Sequence, residues 1–452
     1  MNFRIIPLLL ALVFIQCSSS SGDDGSTSTG GDISTMLVGT NVWYNDPGTI
    51  AWQRTNVAGI QSYRIGGNGY NNNLPSNSTL LDWVGKIQAN KGEAILQVPQ
   101  PQSEQTPSSI AAAAQFAAGV VRYFNVEQNT IEPIKYWNIG NEPWLWYDRE
   151  NFTTLTPKVQ EYFTAIAAAM KEVDPTIKIY GPDFSAFYGE PHIRLFGGSH
   201  DITGKVPGKD YYYIDGLAFH RYPQRNGDPA TEGAEDMLNE IKQAKELIDR
   251  INSEQSRTGD DALMWGIGEF NSKNGSVVHT WGNGQMFGAV YGYGMEYGAK
   301  YITSWSMFES GGNRGGTDFS LFDGNNRVPR SSYWHSLFVA QYFTGTFVKG
   351  DVSDDDFLVY GAVDGDQLSV MIMNRGTGSG QDYTLNLKKV SLGTTGANFY
   401  VDAGRDGIYE ATIEPRSTQV LIFNGTNLKK ITYTSDDFSN GRGPTTEELT
   451  FE

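Results

Sequence analysis

Two glutamates lie in apolar, strand-like segments that are far apart in the chain. Glu142 belongs to YWNIGNEP, where it stands between Asn141 and Pro143, and Glu269 belongs to GIGEFN. An aromatic surround favours the neutral form of a carboxyl group, whereas a neighbouring cation favours the ionised form. Two carboxyl groups held in such different environments can divide proton donation and nucleophilic attack between them. We therefore expect Glu142 and Glu269 to be catalytic if the fold brings them together.

Polar and aromatic residues also occur in the other strand-like segments. Arg64 in IQSYRIGG would keep Glu269 ionised if the two side chains meet, and it is also a candidate substrate-binding residue. His220 and Tyr222 in HRYP could orient Glu269 or contact a substrate, and Asn141 could donate a hydrogen bond to a substrate. Aromatic rings provide flat apolar surfaces against which a substrate can stack. The aromatic candidates are Trp305, Trp144, Trp146, Trp43 and Tyr44.

Each candidate also has a structural interpretation. Arg64 could be a buried ion-pair partner, and His220 could be a hydrogen-bonded wall residue. Trp144 and Trp146 could pack in the core or in a loop. Glu309 is a rival carboxylate for the nucleophile, but its position before GGNRGG favours a loop.

Strand-like runs alternate with longer helical runs over roughly 300 residues, which is typical of a (β/α)₈ TIM barrel. Helices are predicted at 108–124, 156–173, 232–251 and 331–343. An open doubly wound sheet is the alternative, but no Gly-rich phosphate loop follows the first strand. In a barrel, the carboxyl ends of the strands would gather the candidate residues at one mouth. The predicted strands are 36–44, 60–67, 93–99, 136–143, 177–184, 214–223, 263–271 and 301–309.

The hydrophobic period changes to two near residue 346, and Gly, Asp and Asn separate the later segments. This pattern predicts a C-terminal antiparallel β-sandwich over 346–452, after a catalytic barrel over 35–345. The edge of the sandwich could include a strand from just before the barrel, and the end at 435–452 is expected to be loosely ordered. The acidic turns at 350–357 and 401–407 could hold calcium, although such turns are usually only solvated.

Composition narrows the classes of partner and of fold. The chain has 34 basic and 51 acidic residues, a formal net charge of -17, so nucleic acid is not an expected partner. The single cysteine excludes an intrachain disulfide framework.

The N-terminus predicts export and lipid attachment. MNFRIIPLLLALVFIQ has the basic start and the apolar length of a signal peptide, over 1–16, and Cys17 follows directly. The Ser/Gly/Asp-rich composition of residues 17–34 predicts a flexible tether. We expect lipidation of Cys17 and anchoring to the outer membrane or another bacterial cell-envelope lipid surface. The alternative is an ordinary secretory signal with an incidental cysteine.

Asn141-Glu142-Pro143 on the fourth strand and Glu269 on the seventh resemble the pattern of the clan A retaining glycoside hydrolases, which are built on (β/α)₈ barrels. The resemblance covers the layout from Arg64 to Trp305. The attached sandwich is similar to that of several families in the clan, among them arabinofuranosidases, xylosidases, glucuronidases and the family 44 endoglucanases and xyloglucanases. NEPWLW and HRYP favour the family 44-like members, whereas Gln97 stands where some relatives have histidine, so no family is assigned.

The resemblance implies an enzyme that cleaves β-glycosidic bonds of a polysaccharide with retention. Such chemistry requires an acid to protonate the leaving oxygen and a carboxylate about 5 Å away to attack the anomeric carbon. Glu142 would be the acid and Glu269 the nucleophile, while Asn141 would bond the sugar 2-hydroxyl and Trp305 would stack on the sugar. We expect endo action by a monomer. No cofactor is required, and no His/Cys cluster with metal-ligand spacing is present in the sequence.

Two other functions remain open at this stage. A surface glycan-binding lipoprotein could retain the barrel without hydrolysis, but it would have no need of both Glu142 and Glu269. An exo-acting glycosidase or a transglycosylase would use the same residues and differ in loop shape or in the exclusion of water.

Overall fold

The computed structural model describes residues 29–43, 45–101, 109–143, 151–223, 228–273, 275–309, 318–324, 326–388, 397–404 and 406–451. After a short first strand, β1 (Thr29–Asp32), eight parallel strands close into a barrel in chain order. Each barrel strand lies within one predicted strand, so the TIM barrel is confirmed. The barrel strands are β2 (Val38–Val42), β3 (Ser62–Ile65), β4 (Glu93–Val98), β5 (Tyr136–Ile139), β6 (Lys178–Phe184), β7 (Gly216–Arg221), β8 (Met264–Phe270) and β9 (Tyr301–Ser304).

Amphipathic helices connect the barrel strands and cover the outside of the barrel. They bury apolar residues at three- and four-residue spacing, as Met237, Ile241, Ala244 and Ile248 do on one helix. The helices are α1 (Thr49–Ala58), α2 (Asn68–Asn72), α3 (Asn77–Ala89), α4 (Ile110–Arg122), α5 (Phe152–Val173), α6 (Gly189–Leu195), α7 (Ala234–Glu254), α8 (Gly275–Val278), α9 (Trp281–Glu296) and α10 (Ser331–Tyr342).

Helix α5 begins four residues before its predicted start. The prediction placed Pro157 in the first turn, where its missing N–H costs nothing. Instead Asn151 caps the helix by accepting a hydrogen bond from the Thr153 N–H at 3.1 Å, so Pro157 lies inside the helix. The side-chain cap and the burial of Leu155 extend the helix despite the proline.

The amino end of the barrel interior is filled by apolar and aromatic side chains. The ring centroids of Tyr180 and Tyr301 lie 5.2 Å apart, and those of Tyr136 and Tyr180 lie 6.3 Å apart. A Cβ on Gly216 would come within 2.1 Å of the Tyr180 ring, so glycine at this point of β7 makes room for it. We call this layer the barrel floor; it comprises Met36, Ile95, Tyr136, Tyr180, Ala218 and Tyr301.

The C-terminal domain contains two sheets that share one bent strand, which confirms the predicted sandwich. A short hairpin, β10 (Phe322–Asp323) with β11 (Val328–Pro329), precedes it. The first half of the bent strand pairs with the larger sheet and its second half with the smaller one. The bent strand β12 (Thr346–Val352) is followed by β13 (Phe357–Asp364), β14 (Gln367–Asn374), β15 (Gln381–Asn386), β16 (Ala397–Val401), β17 (Ile408–Ile413), β18 (Ser417–Asn424), β19 (Asn427–Thr434) and β20 (Thr445–Thr450).

Strand alternation lets the larger sheet serve two cores. On β14, Val370 and Ile372 pack into the sandwich core, whereas Met371 and Met373 pack with the barrel helices. Polar contacts fix the same interface: His335 Nε2 on α10 lies 2.9 Å from Thr418 Oγ1 on β18. Burial lowers the pKa of His335 to about 4, so its ring is neutral near neutral pH. The sandwich is therefore joined to the barrel by a buried contact.

Both ends of the described chain are more ordered than the sequence suggested. Residues Thr29–Asp32, assigned to the flexible tether, form β1 and pair with β12, the borrowed edge strand that was considered for the sandwich. The expectation of a loosely ordered end was wrong, because Ser435–Ser439 form α11 and β20 pairs with β19. Strand β20 is exposed along its length, so backbone pairing rather than burial holds it, and no apolar pattern reveals it. None of the helices described is both long and apolar enough to cross a membrane.

Candidate active site

The carboxyl ends of the barrel strands open into a cavity of about 1030 Å³. Its walls come from the ends of the first, second, and fourth to eighth barrel strands and from the segments that follow them, so residues distant in sequence share one surface. The side chains on this surface include Trp43, Asn68, Glu142, Tyr188, Tyr222, Glu269 and Trp305.

Glu142 and Glu269 meet in this cavity. One oxygen of each carboxyl group and one ring nitrogen of His220 all lie within 4.8 Å of one another. Both glutamates are largely buried, with 9% and 6% of their surface exposed. Glu142 has a φ of 46°, a conformation that favours glycine, and its N–H donates to the Asp183 carbonyl at 2.9 Å. Non-glycine residues in this conformation often mark functional sites, because the surrounding structure must hold them there.

Two donors hold the carboxylate of Glu269. Arg64 Nη1 donates to Oε1 at 2.9 Å, and the Tyr222 hydroxyl donates to Oε2 at 2.8 Å. Burial raises the pKa of Glu269 above its ordinary value, while His220, Arg64 and the Tyr222 hydrogen bond act in the opposite direction. The ionised form expected for Glu269 therefore depends on these neighbours, since burial alone works against it.

Arg64 is the centre of a buried polar network. Its side chain is fully buried, and burial disfavours its charge, but the carboxylates of Asp183 and Glu269 raise the pKa of the guanidinium above its ordinary value. The fork of donors matches acceptors from five different barrel strands, which fixes the relative position of their side chains. The acceptors of Arg64 are Asn138 at 3.1 Å, Asn41 at 3.0 Å, Glu269 at 2.9 Å, Gln97 at 3.3 Å, Asn141 at 2.7 Å and Asp183 at 3.3 Å.

His220 lies between the carboxyl groups of the site. Its Nδ1 is 3.1 Å from Oε1 of Glu142 and 3.6 Å from Oε2 of Glu269, and its Nε2 is 3.7 Å from Oδ1 of Asp183. Burial disfavours the imidazolium, but Glu269 and the hydrogen bond to Glu142 outweigh it and raise the pKa of His220 above its ordinary value. The ring is thus a second polar neighbour that both glutamates share.

Three residues expected to bind substrate lie behind the cavity wall instead. Arg64 and His220 are fully buried and Asn141 is 1% exposed, and each contacts other residues of the site. Asn141 accepts from Arg64 at 2.7 Å and donates to Asn68 Oδ1 at 3.0 Å. Of the expected polar contacts, Tyr222 does line the cavity. Sequence placed these side chains at the correct mouth but could not separate the wall from the layer behind it.

Two of the predicted aromatic residues, Trp43 and Trp305, line the cavity. The Trp305 indole donates to Glu309 Oε1 at 3.0 Å, and Glu309 Oε2 accepts from the Phe319 N–H at 3.0 Å. Glu309 therefore holds Trp305, whereas the carboxylate that lies beside Glu142 and His220 is that of Glu269. Trp144, Trp146, Tyr44 and Cys17 lie outside the described residues.

Gln97 is a member of the network that sequence analysis did not identify. Its Oε1 accepts from Arg64 and from the Gly67 N–H at 2.7 Å, and its Nε2 donates to Asn71 Oδ1 at 3.1 Å. It thereby ties β4 to the segment after β3. The available signal was a glutamine within the otherwise apolar run EAILQV, because buried amides are hydrogen-bonded.

The chain matches no protein-family model, and no curated protein matches its sequence. Solved structures do resemble it. A family 51 α-L-arabinofuranosidase from Bifidobacterium longum is similar with a TM-score of 0.64 and 12% identity, over 87% of this chain and 97% of that enzyme. A family 44 endoglucanase from Clostridium thermocellum is similar with a TM-score of 0.58 and 16% identity, over 88% and 98%.

A family 30 subfamily 8 xylanase from Clostridium acetobutylicum is also similar, with a TM-score of 0.57 and 13% identity over 87% of this chain and 97% of that enzyme. At such low identity, the similarity establishes a common fold. The chain has the barrel-and-sandwich fold of these glycoside hydrolases, as the clan A resemblance implied. Its activity has to be argued from the site.

Proposed function

We propose that the protein is a retaining glycoside hydrolase that cleaves β-glycosidic bonds of a polysaccharide, with endo action. The main support is the spacing of Glu142 and Glu269, because one oxygen of each carboxyl group lies within 4.8 Å of the other at the mouth of the barrel. Carboxyl groups about 5–5.5 Å apart are typical of retaining glycosidases, whereas inverting enzymes need about 6.5–9.5 Å to admit a water.

In the first step, Glu269 attacks the anomeric carbon while Glu142 gives its proton to the glycosidic oxygen. The bond between that carbon and the leaving oxygen breaks, and its electron pair stays with the oxygen. An ester then joins the sugar to Glu269. Arg64 and Tyr222 support this step by holding the Glu269 carboxylate in one orientation.

In the second step, the ionised Glu142 takes a proton from a water molecule, whose oxygen attacks the same carbon. The ester bond breaks, Glu269 leaves as a carboxylate, and Glu142 is protonated again. His220, 3.1 Å from Glu142 Oε1, would stabilise the ionised Glu142 between the two steps.

The size and lining of the cavity favour a polymer as substrate. Its volume of about 1030 Å³ is at the upper limit of the roughly 300–1,000 Å³ usual for small-ligand pockets. Trp43 and Trp305, which follow the neighbouring strands β2 and β9, offer stacking surfaces on the wall. A cavity of this size can hold more than one sugar unit, which supports internal cleavage over removal of single end sugars.

We further propose that a lipid on Cys17 holds the protein at the bacterial cell surface, where polymers too large to enter the cell are accessible. The signal-like segment before Cys17 supports this location. Replacement of Cys17 by serine should move the protein from the detergent phase to the aqueous phase in a phase-partition experiment. Retention of the variant in the detergent phase would contradict the anchor.

The function is tested by incubating the purified protein with a panel of β-linked polysaccharides that includes xylan, xyloglucan and mixed-linkage β-glucan. Products should appear as a range of oligosaccharide sizes, and ¹H NMR should show the β anomer as the first product. An α anomer as first product would rule out retention. Release of monosaccharide alone would favour an exo-acting enzyme, and binding without any product would favour a glycan-binding lipoprotein.

A further inference from the structure

The orientation of the side-chain amides of Asn141 and Asn68 follows from Arg64, whose guanidinium can only donate hydrogen bonds. Arg64 Nη2 donates to Oδ1 of Asn141 at 2.7 Å, and a guanidinium has no acceptor, so this atom of Asn141 must be its oxygen. The amide nitrogen of Asn141 then donates to Oδ1 of Asn68 at 3.0 Å. Asn68 accepts with its oxygen, which leaves its NH₂ group as the donor toward the cavity.

Asn68 stands on the cavity wall beside the reacting centre. It is exposed and lines the cavity, whereas Asn141 is 1% exposed behind it. The preceding Gly67 lies against the Trp305 ring, because a Cβ there would be 2.5 Å from the indole and 3.8 Å from Oε1 of Glu269. Asn68 thus directly follows a backbone position that lies beside both Trp305 and Glu269.

We propose that the side-chain amide of Asn68 donates a hydrogen bond to a hydroxyl of the sugar that Glu269 attacks. Asn141 is then a positioning residue, which receives its orientation from Arg64 and passes it to Asn68. This inference rests on the proposed glycosidase function and assigns to Asn68 the sugar contact that the sequence assigned to Asn141. A wall donor of this kind discriminates against a sugar that lacks the hydroxyl, because the donor is then left unpaired.

A purely structural role for Asn68 makes a different prediction. If Asn68 only supports Asn141, an aspartate at this position would serve equally, because its carboxylate also accepts from Asn141. If Asn68 donates to the sugar, aspartate would fail, because a carboxylate oxygen facing the cavity cannot donate. The Asn68→Asp variant therefore separates the two roles, and Asn68→Ala measures the sum of both.

The experiment compares kcat and KM of the unaltered protein, Asn68→Ala and Asn68→Asp on the polysaccharide of the panel that is cleaved fastest. Asn77→Ala is the matched control, because Asn77 is an exposed amide in the same part of the chain but outside the cavity lining. We expect both Asn68 variants to lose at least about 10-fold in kcat/KM, the scale of one hydrogen bond to a polarised group. Asn77→Ala should stay within about twofold, and the melting temperatures of all variants should agree.

The outcomes distinguish this inference from the function on which it rests. Full activity of Asn68→Asp beside a weak Asn68→Ala would overturn it in favour of a structural support. Activity of Asn68→Ala within about twofold of the unaltered protein would also overturn it, while leaving the glycosidase function in place. Absence of hydrolysis by the unaltered protein on every glycan would refute the proposed function and this contact together.

Discussion

The two ends of the barrel interior contain opposite kinds of side chain. The floor consists of three aliphatic side chains and three tyrosines. The mouth contains an arginine, a histidine, three carboxyl groups and several amides, nearly all buried. The same eight strands pass through both layers, so the difference lies in which residue each strand presents at each height. The mouth residues are Asn41, Arg64, Gln97, Asn138, Asn141, Glu142, Asp183, His220 and Glu269.

Along the barrel axis, the residues that serve catalysis lie at the mouth and the residues that serve stability lie at the floor. Burying polar and charged groups is unfavourable unless each is hydrogen-bonded or paired, whereas burying aromatic rings is favourable. Arg64 reduces the free-energy cost of burying the polar layer, because it donates hydrogen bonds to six side chains. Asn138 connects the two layers, because its side-chain amide donates to the Tyr180 carbonyl at 3.1 Å. We therefore expect substitutions at the mouth to change mainly activity and those at the floor mainly stability.

The largest effect on activity is expected for the glutamates. Glu269→Gln should lower kcat by more than about 10⁴-fold, because the attacking carboxylate is lost. Glu142→Gln should lower it by about 10²–10⁴-fold for substrates with poor leaving groups. The unfolding temperature should fall less than for replacement of Arg64, because Arg64 keeps Asp183 as a buried ion-pair partner. Glu93→Gln, at the exposed floor end of β4, is the matched control and should remain fully active. Equal activity of all three variants would invalidate the site.

Replacement of Arg64 should lower both the stability and the activity of the protein. Arg64→Met leaves Glu269 and Asp183 without their buried partner, which is expected to cost about 3–5 kcal/mol of unfolding free energy. It should also lower kcat/KM by about 10²–10³-fold, because Asn141 and Glu269 lose their orientation. Arg257, buried and bonded to carbonyls of Thr203, Asp261 and Ile214, is the control. Arg257→Met should be destabilised with kcat unchanged. A comparable loss of kcat in this variant would show that loss of activity is not specific to the barrel mouth.

At the floor, Tyr180→Ala should lower the unfolding free energy by about 3–5 kcal/mol, because it leaves a cavity among rings that cannot collapse into it. Below its melting temperature the variant should keep kcat within about threefold. Chemical denaturation and initial rates at low temperature provide the two measurements. A stable but inactive Tyr180→Ala protein would show that the floor takes part in the chemistry.

The smallest effect concerns Tyr222. Burial raises the pKa of Glu269, and the Tyr222 hydrogen bond lowers it, so Tyr222→Phe should raise the pKa further. Since Glu269 must be ionised to attack, the acid limb of the kcat/KM profile should move to higher pH. Activity at the optimum should fall by about 10- to 100-fold, the scale of a hydrogen bond to a charged group. An acid limb that stays in place, or moves to lower pH, would contradict this role.

Sequence was sufficient for the parts of the fold that depend on local patterns. Apolar runs of strand length between amphipathic helices located all eight barrel strands, and the change of period near residue 346 located the sandwich. The strand ends then placed Glu142, Glu269 and Arg64 at one mouth. These predictions succeeded because a barrel brings the carboxyl ends of all its strands together.

Local sequence patterns could not predict the contacts in the layer behind the cavity wall. Strand periodicity shows which face a residue occupies, but not which polar side chains meet across the barrel axis. The role of Gln97 and the bond between Asn141 and Asn68 depend on the path of the segment after β3, which no local pattern specifies. Likewise, β20 has no buried face, so only its backbone pairing with β19 reveals it.

Strand β1 determines how a tethered enzyme would be held. It pairs with β12 of the sandwich before the chain enters the barrel, so a pull from Cys17 would load those backbone hydrogen bonds rather than the barrel. The chain from Cys17 to Thr29 can extend to at most about 40 Å. If Cys17 is lipid-anchored, the enzyme would therefore remain close to the membrane surface. It could then cleave only glycan chains that reach the cell surface.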